Sequence, residues 1–278
     1  MQGMTQREYW SGKAGDDWAL HAERIDAMLA PIAGAALDFA ALRSGEHVLD
    51  VGCGSGATSL DIARRVGPTG RVMGVDLSLQ MLDVARARAS EARLALDFLE
   101  ADASSANFGG SFDVVFSRFG VMFFDAPIKA FAHLRASTRE NGRLSFACWR
   151  PLRENVWAAT PLEAIAPMLK TPLPPPDPEA PGPYSLADEA RVRRVLQDAG
   201  WRHVSLLRWD GLVPIGGSGA LEETASFLLR IGPCARAIAE QGLDAAEAKQ
   251  RLLDRLAPLQ DKNGVAMPGA CWLVSAAA

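Results

Sequence analysis

Two short constellations in this 278-residue chain combine residue types that could do chemistry. The first is Val48-Leu49-Asp50-Val51-Gly52-Cys53-Gly54-Ser55-Gly56, an apolar run that ends in a glycine-rich turn. Glycine lets a backbone approach a ligand with no Cβ in the way and adopts dihedrals that other residues avoid. The second is Gly74-Val75-Asp76, further along the chain. A carboxylate there, at the end of a strand, can accept both hydroxyls of a ribose. Together the two describe a site for a nucleoside.

The elements that must position these residues follow from hydrophobic rhythm. Residues 16–42 have helical spacing, with Pro31 predicting a break between two helices. From residue 47 the pattern alternates. Strands are expected at 47–51, 71–76, 95–100, 112–116 and, after the Asn141-Gly142 turn, 143–149, with helices at 58–66, 78–91 and 126–139. Such alternation implies right-handed crossovers and a parallel sheet with helices on both faces. Beyond Trp149 the pattern loosens: a helix at 155–169, a proline-rich stretch at 171–184 that cannot be helical, a helix at 185–200, a strand at 204–209, mostly helix at 220–259 and a closing apolar strand at 270–275.

Composition narrows the function classes. The chain is 49% hydrophobic and 22% charged, ordinary for a globular protein and unlike a disordered or fibrous one. Its formal charge of -4 supplies no cationic excess for a nucleic-acid backbone. Cys53, Cys148, Cys234 and Cys271 lie far apart, which suggests no metal cage and no disulfide framework, so reduced thiols in a cytoplasmic protein are the expectation. Neither a signal peptide nor a membrane-spanning stretch is visible.

The glycines also fit a dinucleotide fingerprint, Gly52-x-Gly54-x-x-Ala57, so an NAD-dependent oxidoreductase is the competing enzyme class. Asp50 argues against it, because a carboxylate just before the first glycine repels a pyrophosphate and attracts an ammonium or sulfonium. A cofactor-binding module without turnover is the non-catalytic alternative.

The run D-V-G-C-G-S-G, then G-V-D-L-S, E-A-D-A-S at residues 100–104 and F-D-V-V-F-S-R-F-G at 112–120 resembles the class I S-adenosylmethionine-dependent methyltransferases of small-molecule type, similar to those of quinone biosynthesis. The resemblance covers roughly residues 46–150. It implies a doubly wound, mostly parallel α/β sheet of seven strands, the Rossmann-like methyltransferase fold, with helical lid and cap insertions. It further implies a helical lid over residues 1–45, a cofactor core at 46–150, and a remainder at 151–278 that completes the sheet and adds a cap. The cofactor would be S-adenosyl-L-methionine, leaving as S-adenosyl-L-homocysteine, and the partner a small-molecule methyl acceptor.

Carried onto this chain, the resemblance gives Asp50, Gly52, Cys53, Gly54 and Gly56 to the loop around the methionine part and Asp76 to the ribose. Leu77 and Met81 would contact the adenine, Asp102 and Ala103 would read its edge, and Ser117 would pass beside the sulfonium. The Tyr9-Trp10 pair and the Trp18–Asp26 stretch resemble an opening helix that lies over the cofactor, with Trp18 touching it. Tyr9, Trp10, Arg118, Phe119, Met122, Trp149 and Trp157 are the candidates for the acceptor pocket. A sulfonium methyl is already activated, so alignment and dryness are the main requirements. A base is needed only where the acceptor must lose a proton. The expectation is a reaction by proximity, with His21 and Tyr184 as the candidates should a base exist.

Overall fold

The computed structural model describes residues 5–174, 177, 179–215 and 220–278. Pro175, Pro176 and Pro178 of the proline-rich run, and Met1–Met4 of the polar start, lie outside the described residues.

The chain opens with α1 (Gln6–Trp10), α2 (Lys13–Leu20) and α3 (Ala22–Ala40). It then alternates through β1 (His47–Val51), α4 (Ala57–Val66), β2 (Arg71–Asp76), α5 (Leu79–Ala92), β3 (Asp97–Glu100), β4 (Phe112–Arg118), α6 (Pro127–Ala136) and β5 (Thr138–Trp149). The last third contributes α7 (Val156–Ile165), α8 (Glu189–Asp198), β6 (Arg202–Pro214), α9 (Leu221–Leu228), α10 (Gly232–Gln241), α11 (Ala245–Leu256), a short β7 (Gln260–Asp261) and β8 (Gly264–Ala277).

Seven strands form the sheet in the order β3-β2-β1-β4-β5-β8-β6, while β7 pairs only with β8. Neighbours from β3 to β5 are parallel, and β8 runs antiparallel to both β5 and β6. Strands β1 and β4 and the second half of β5, residues 144–149, are almost wholly buried, as near-continuous apolar runs in a parallel sheet must be. Helices cover both faces: α3 and α6 both pack on β5, α3 and α8 on β6, while α3 joins α4 and α6 joins α8. Helices α7, α9, α10 and α11 pack on one another, α7 and α9 also pack on β8, and α7, α10 and α11 enclose a small core of their own around Ile165, Cys234, Ala237 and Ala248.

Several boundaries differ from the sequence reading for identifiable reasons. Helix α3 runs through Pro31 without a break. Ala27, Ala30 and Pro31 all face solvent, so water can satisfy the carbonyl that loses its N–H partner. The break falls at His21 instead, between α2 and α3. The Asn141-Gly142 pair makes no separate turn; β5 starts at Thr138 and absorbs the pair as a bulge, with Asn141 at φ 65° and the register slipping between Phe112 and Val114. Helix α6 therefore ends at Ala136 rather than Arg139. Helix α7 stops at Ile165, and a single 3-10 turn completes the expected segment.

Ion pairs tie the sheet's amino end together. Asp113 accepts from the His47 amide at 2.8 Å and from Arg139, and Glu46 accepts from Arg143 and from the Arg43 amide. Burial pushes both carboxyls up, but these bonds outweigh it and hold both below their usual range. A carboxylate depressed in the fold contributes stability above its unfolded value of about 4, and loses it as pH falls through the folded value. Thermal melts should therefore show stability falling steeply below about pH 4. Asp113→Asn should cost about 1 kcal/mol at pH 7 and flatten that acid limb; an unchanged limb would remove Asp113 from the account.

Candidate active site

The topology opens a crevice where the strand order reverses, between the carboxyl ends of β1 and β4. Gly52, at φ 67°, sits on that line, and a Cβ built on it would come within 2.6 Å of Gly120 Cα. Only glycine on both sides lets the β1 and β4 turns pass so closely. Beside them lies a cavity of ≈ 340 Å³. Its floor comes from residues 51–55, 75–77, 81, 101–104 and 118–120, its side from residues 123–126, 129 and 130, and its cover from Gln6, Trp10, Trp18, Ala22, Ile25, Asp26 and Leu29. The helices of the last third contribute nothing to this lining among the described residues.

Asp76 reaches the cavity from the end of β2. One carboxylate oxygen accepts from the Gly54 amide at 2.8 Å and the other from the Ser78 amide at 2.9 Å. Those bonds fix its orientation and leave lone pairs for further donors. Burial pushes its carboxyl up, against the amides that hold it down. Asp102 accepts from the Ser104 amide at 2.8 Å and lines the cavity as well, so it caps its turn and faces the ligand space at once. Cys53 is also a wall residue, its thiol pushed up by burial and by Asp76 and Asp50, which keeps it neutral.

Asp50 is placed differently from expectation. It is fully buried beneath the turn and does not line the cavity. One oxygen accepts from Thr58 Oγ1 at 2.8 Å and Ser59 Oγ at 2.7 Å, while its Oδ1 has no protein partner. Burial pushes this carboxyl up, opposed by the two hydroxyls and by Arg118. Its direct effect is to staple the start of α4 under the glycine turn. Ser117 is likewise behind the wall, donating to the Val51 carbonyl at 2.7 Å and accepting from the Gly120 amide. Gly56 lies under Ala85 rather than in the cavity.

Trp10, Trp18, Arg118, Phe119, Leu77, Met81 and Ala103 all reach the wall, as their positions suggested. Tyr9 stands outside it, edge-on to Trp10, which in turn packs edge-on against Trp18 and Phe123. Met122, Trp149 and Trp157 form the layer behind Phe119, whose ring is stacked on Trp149 at 4.1 Å. His21 sits behind the cover. Tyr184 is brought to a separate surface pocket with Arg153, Asp188 and Trp272, so the structure does not unite it with the cavity, and burial pushes its hydroxyl up.

The residue that sequence reasoning passed over is Asp26. Its carboxylate accepts from Ser55 Oγ at 2.8 Å, from Arg88 at 2.6 Å and from Arg118 at 3.1 Å. It thereby binds the covering helix to the glycine turn, to α5 and to the end of β4. A signal was present: Trp18, Ala22, Ile25, Asp26 and Leu29 form one helical stripe, with an acid among apolar residues. Overall the wall carries four carboxylates, Asp26, Asp76, Asp102 and Asp125, against Arg118 and Lys129. This balance suits a cationic ligand better than a pyrophosphate.

Sheet order, glycine turn and terminal carboxylate together define a Rossmann-like α/β domain of the methyltransferase type. Residues 48–142 match the methyltransferase-domain family. That match runs from β1 into β5 and so covers the strands that build the cavity floor. It is 36% identical over 148 residues to an uncharacterized protein of Mycobacterium tuberculosis, covering 53% of this chain and 51% of that protein. It is 38% identical over 149 residues to nocamycin O-methyltransferase of Saccharothrix syringae, covering 49% of this chain and 52% of that enzyme. The match spans about half the length of such curated relatives. Among solved structures, phosphoethanolamine N-methyltransferase 2 of Haemonchus contortus superposes with a TM-score of 0.60 at 17% identity, over 99% of this chain and 60% of that one, and shares the fold.

Replacing Asp26 by Ala leaves two largely buried guanidinium groups without their carboxylate. The expected cost is about 3 kcal/mol. Limited proteolysis should then cut within residues 5–40 well before the rest, and equal protection in both proteins would remove Asp26 as the tie.

Proposed function

We propose that the protein transfers a methyl group from S-adenosyl-L-methionine to a small-molecule acceptor. The observation that carries this reading is the Asp76 carboxylate, oriented by two backbone amides beside a glycine turn, in a cavity whose wall is acidic and whose cover is aromatic.

The residues present fit the cofactor. Gly52 and Gly54 leave room along the turn, since a Cβ on Gly54 would meet the Met81 methyl at 2.9 Å. Asp76 retains acceptor capacity for ribose hydroxyls, Leu77 and Met81 offer an apolar face for the adenine, and Asp102 stands at its edge. When bound, the cofactor supplies a methyl group already activated by a positive sulfur. The chain's part is to hold that group still, to aim it, and to keep water away. Trp10, Trp18 and Phe123 form the dry cover, and their ring faces favour a neighbouring cation. Asp26 holds that cover shut. Residues 1–45 act as the lid, residues 46–150 as the cofactor core, and residues 151–278 complete the sheet and add helices as a cap.

A lid that closes over the wall admits a compact acceptor rather than a nucleic-acid strand. The four cysteines are unpaired and buried, in keeping with a reducing cytoplasm. No described helix is long and apolar enough to cross a membrane. The acidic wall disfavours a nicotinamide dinucleotide, the competing ligand.

S-adenosylhomocysteine should raise the melting temperature, whereas NADH should not; the reverse pattern would overturn the reading. Asp76→Ala should weaken S-adenosylhomocysteine about 10- to 100-fold in calorimetric titration, as loss of charge-assisted hydrogen bonds requires. Labelled methyl incorporation into phenols, amines and quinones separates an enzyme from a binding module.

A further inference from the structure

The two edges of the sheet are built differently. At one, β3 is four residues long with an acid at each end, Asp97 and Glu100, and Asp97 is paired with Arg71. A short, charged edge resists pairing with another chain. At the other, β6 runs for 13 residues and pairs with β8 alone among the described residues. Two of its leucines stand in solvent, Leu207 at 52% exposure and Leu212 at 61%. A long edge of this kind is a template for a further strand.

The register fixes which groups that edge presents. The Ile215 amide donates to the Val265 carbonyl at 2.8 Å and continues the Pro214–Ala266 pairing, so from Ser205 onward the odd-numbered residues turn their backbone groups toward β8. The even-numbered residues turn theirs outward. Both ends of this outer row are closed: Arg193 of α8 donates to the Val204 carbonyl at 2.7 Å, and Pro214 has no N–H to offer. Between them, the outward groups of Leu206, Arg208, Asp210 and Leu212 have no partner among the described residues.

Charge decides what fits this window. A second β6 lying antiparallel must set even positions against even ones, so its possible registers differ only in the residue on the two-fold axis. With Trp209 on the axis, Arg208 of each copy faces Asp210 of the other. Shifting the axis by one residue sets Arg208 against itself or Asp210 against itself, which is repulsive.

The same register covers both leucines. Leu212 falls opposite Leu206, and Leu207 falls opposite Gly211, where a Cβ would lie 2.6 Å from the Trp209 ring of the same strand. Leu207 of one copy therefore lands beside the indole of the other. Within a single chain, Arg208 reaches Asp210 and Glu154 only at 3.7 and 3.8 Å, and Asp210 gives its other oxygen to Arg150 at 2.6 Å. A closer carboxylate can thus claim the Arg208 guanidinium.

We infer that the protein forms a two-fold dimer through β6, whose open edges pair antiparallel about Trp209 and join the two sheets into one. The paired strands exchange about eight backbone hydrogen bonds, with an Arg208–Asp210 ion pair on each side of the axis. No residue of β6 lines the cofactor cavity, so each copy keeps a site of its own.

Sedimentation equilibrium of the full chain at micromolar concentration should give a dimer. Arg208→Asp sets carboxylate against carboxylate and should weaken it about 100-fold, while the same chain carrying Asp210→Arg as well should recover to within about tenfold of the unaltered protein. Thermal melts check that both variants stay folded. Mild oxidation should cross-link Trp209→Cys, which meets its own copy on the axis, and not Leu207→Cys, which faces Gly211. In the unaltered protein, amide exchange across residues 205–213 should slow as concentration rises, while residues 97–100 keep their rate. A monomer at every concentration, a dimer that Arg208→Asp leaves intact, or equal cross-linking by the two cysteines overturns the inference.

Discussion

At the point where strand order reverses, two backbones run so close that neither Gly52 nor Gly120 has space for a side chain. That approach fixes everything around it. It sets the glycine turn beside the end of β4, brings the Gly54 amide to Asp76, and delivers Arg118 and Phe119 to the same wall. The remaining hydrogen bonds of the turn serve to hold this geometry. Ser117 bridges the two strand ends, and Asp50 anchors the following helix from below. A cavity made in this way is rigid on its floor and adjustable only at its cover.

The cover depends on charge rather than on apolar area alone. Asp26 gathers Ser55, Arg88 and Arg118 within one carboxylate's reach, so the helix that bears it is held by groups from three other elements. Arg118 illustrates the consequence. A free guanidinium at the end of β4 would draw anions toward the cavity; paired with Asp26, it leaves the acidic residues in the majority. The pairing of Arg118 is therefore a property of the closed arrangement.

How much of this could be read from residues alone depended on the range of the forces involved. Strands β1 and β2 were legible to the residue, because buried parallel strands are short apolar runs ending at glycine or aspartate. The floor of the cavity followed, since its members sit at those strand ends. The Asp26 network was not legible, because its partners lie 29, 62 and 92 residues away. Asp50 was readable as a charge near the turn, but strand alternation and the Thr58 and Ser59 hydroxyls decide which way it points. Pro31 misled because the helix rule concerns a lost hydrogen bond, and exposure of that face removes most of the penalty. The left-handed Phe119 left no trace, since sequence gives no sign of a strained non-glycine residue.

Helices α9 to α11 form one excursion between β6 and β8, and those two strands clasp each other along a long antiparallel ladder. The excursion leaves and rejoins the sheet at its far edge, away from the glycine turn. It touches the cavity only at second hand, through Arg24 of the covering helix, which donates to Thr224 Oγ1 of α9 at 3.1 Å. Such an architecture separates the elements that line the cavity from an excursion that lines none of it among the described residues.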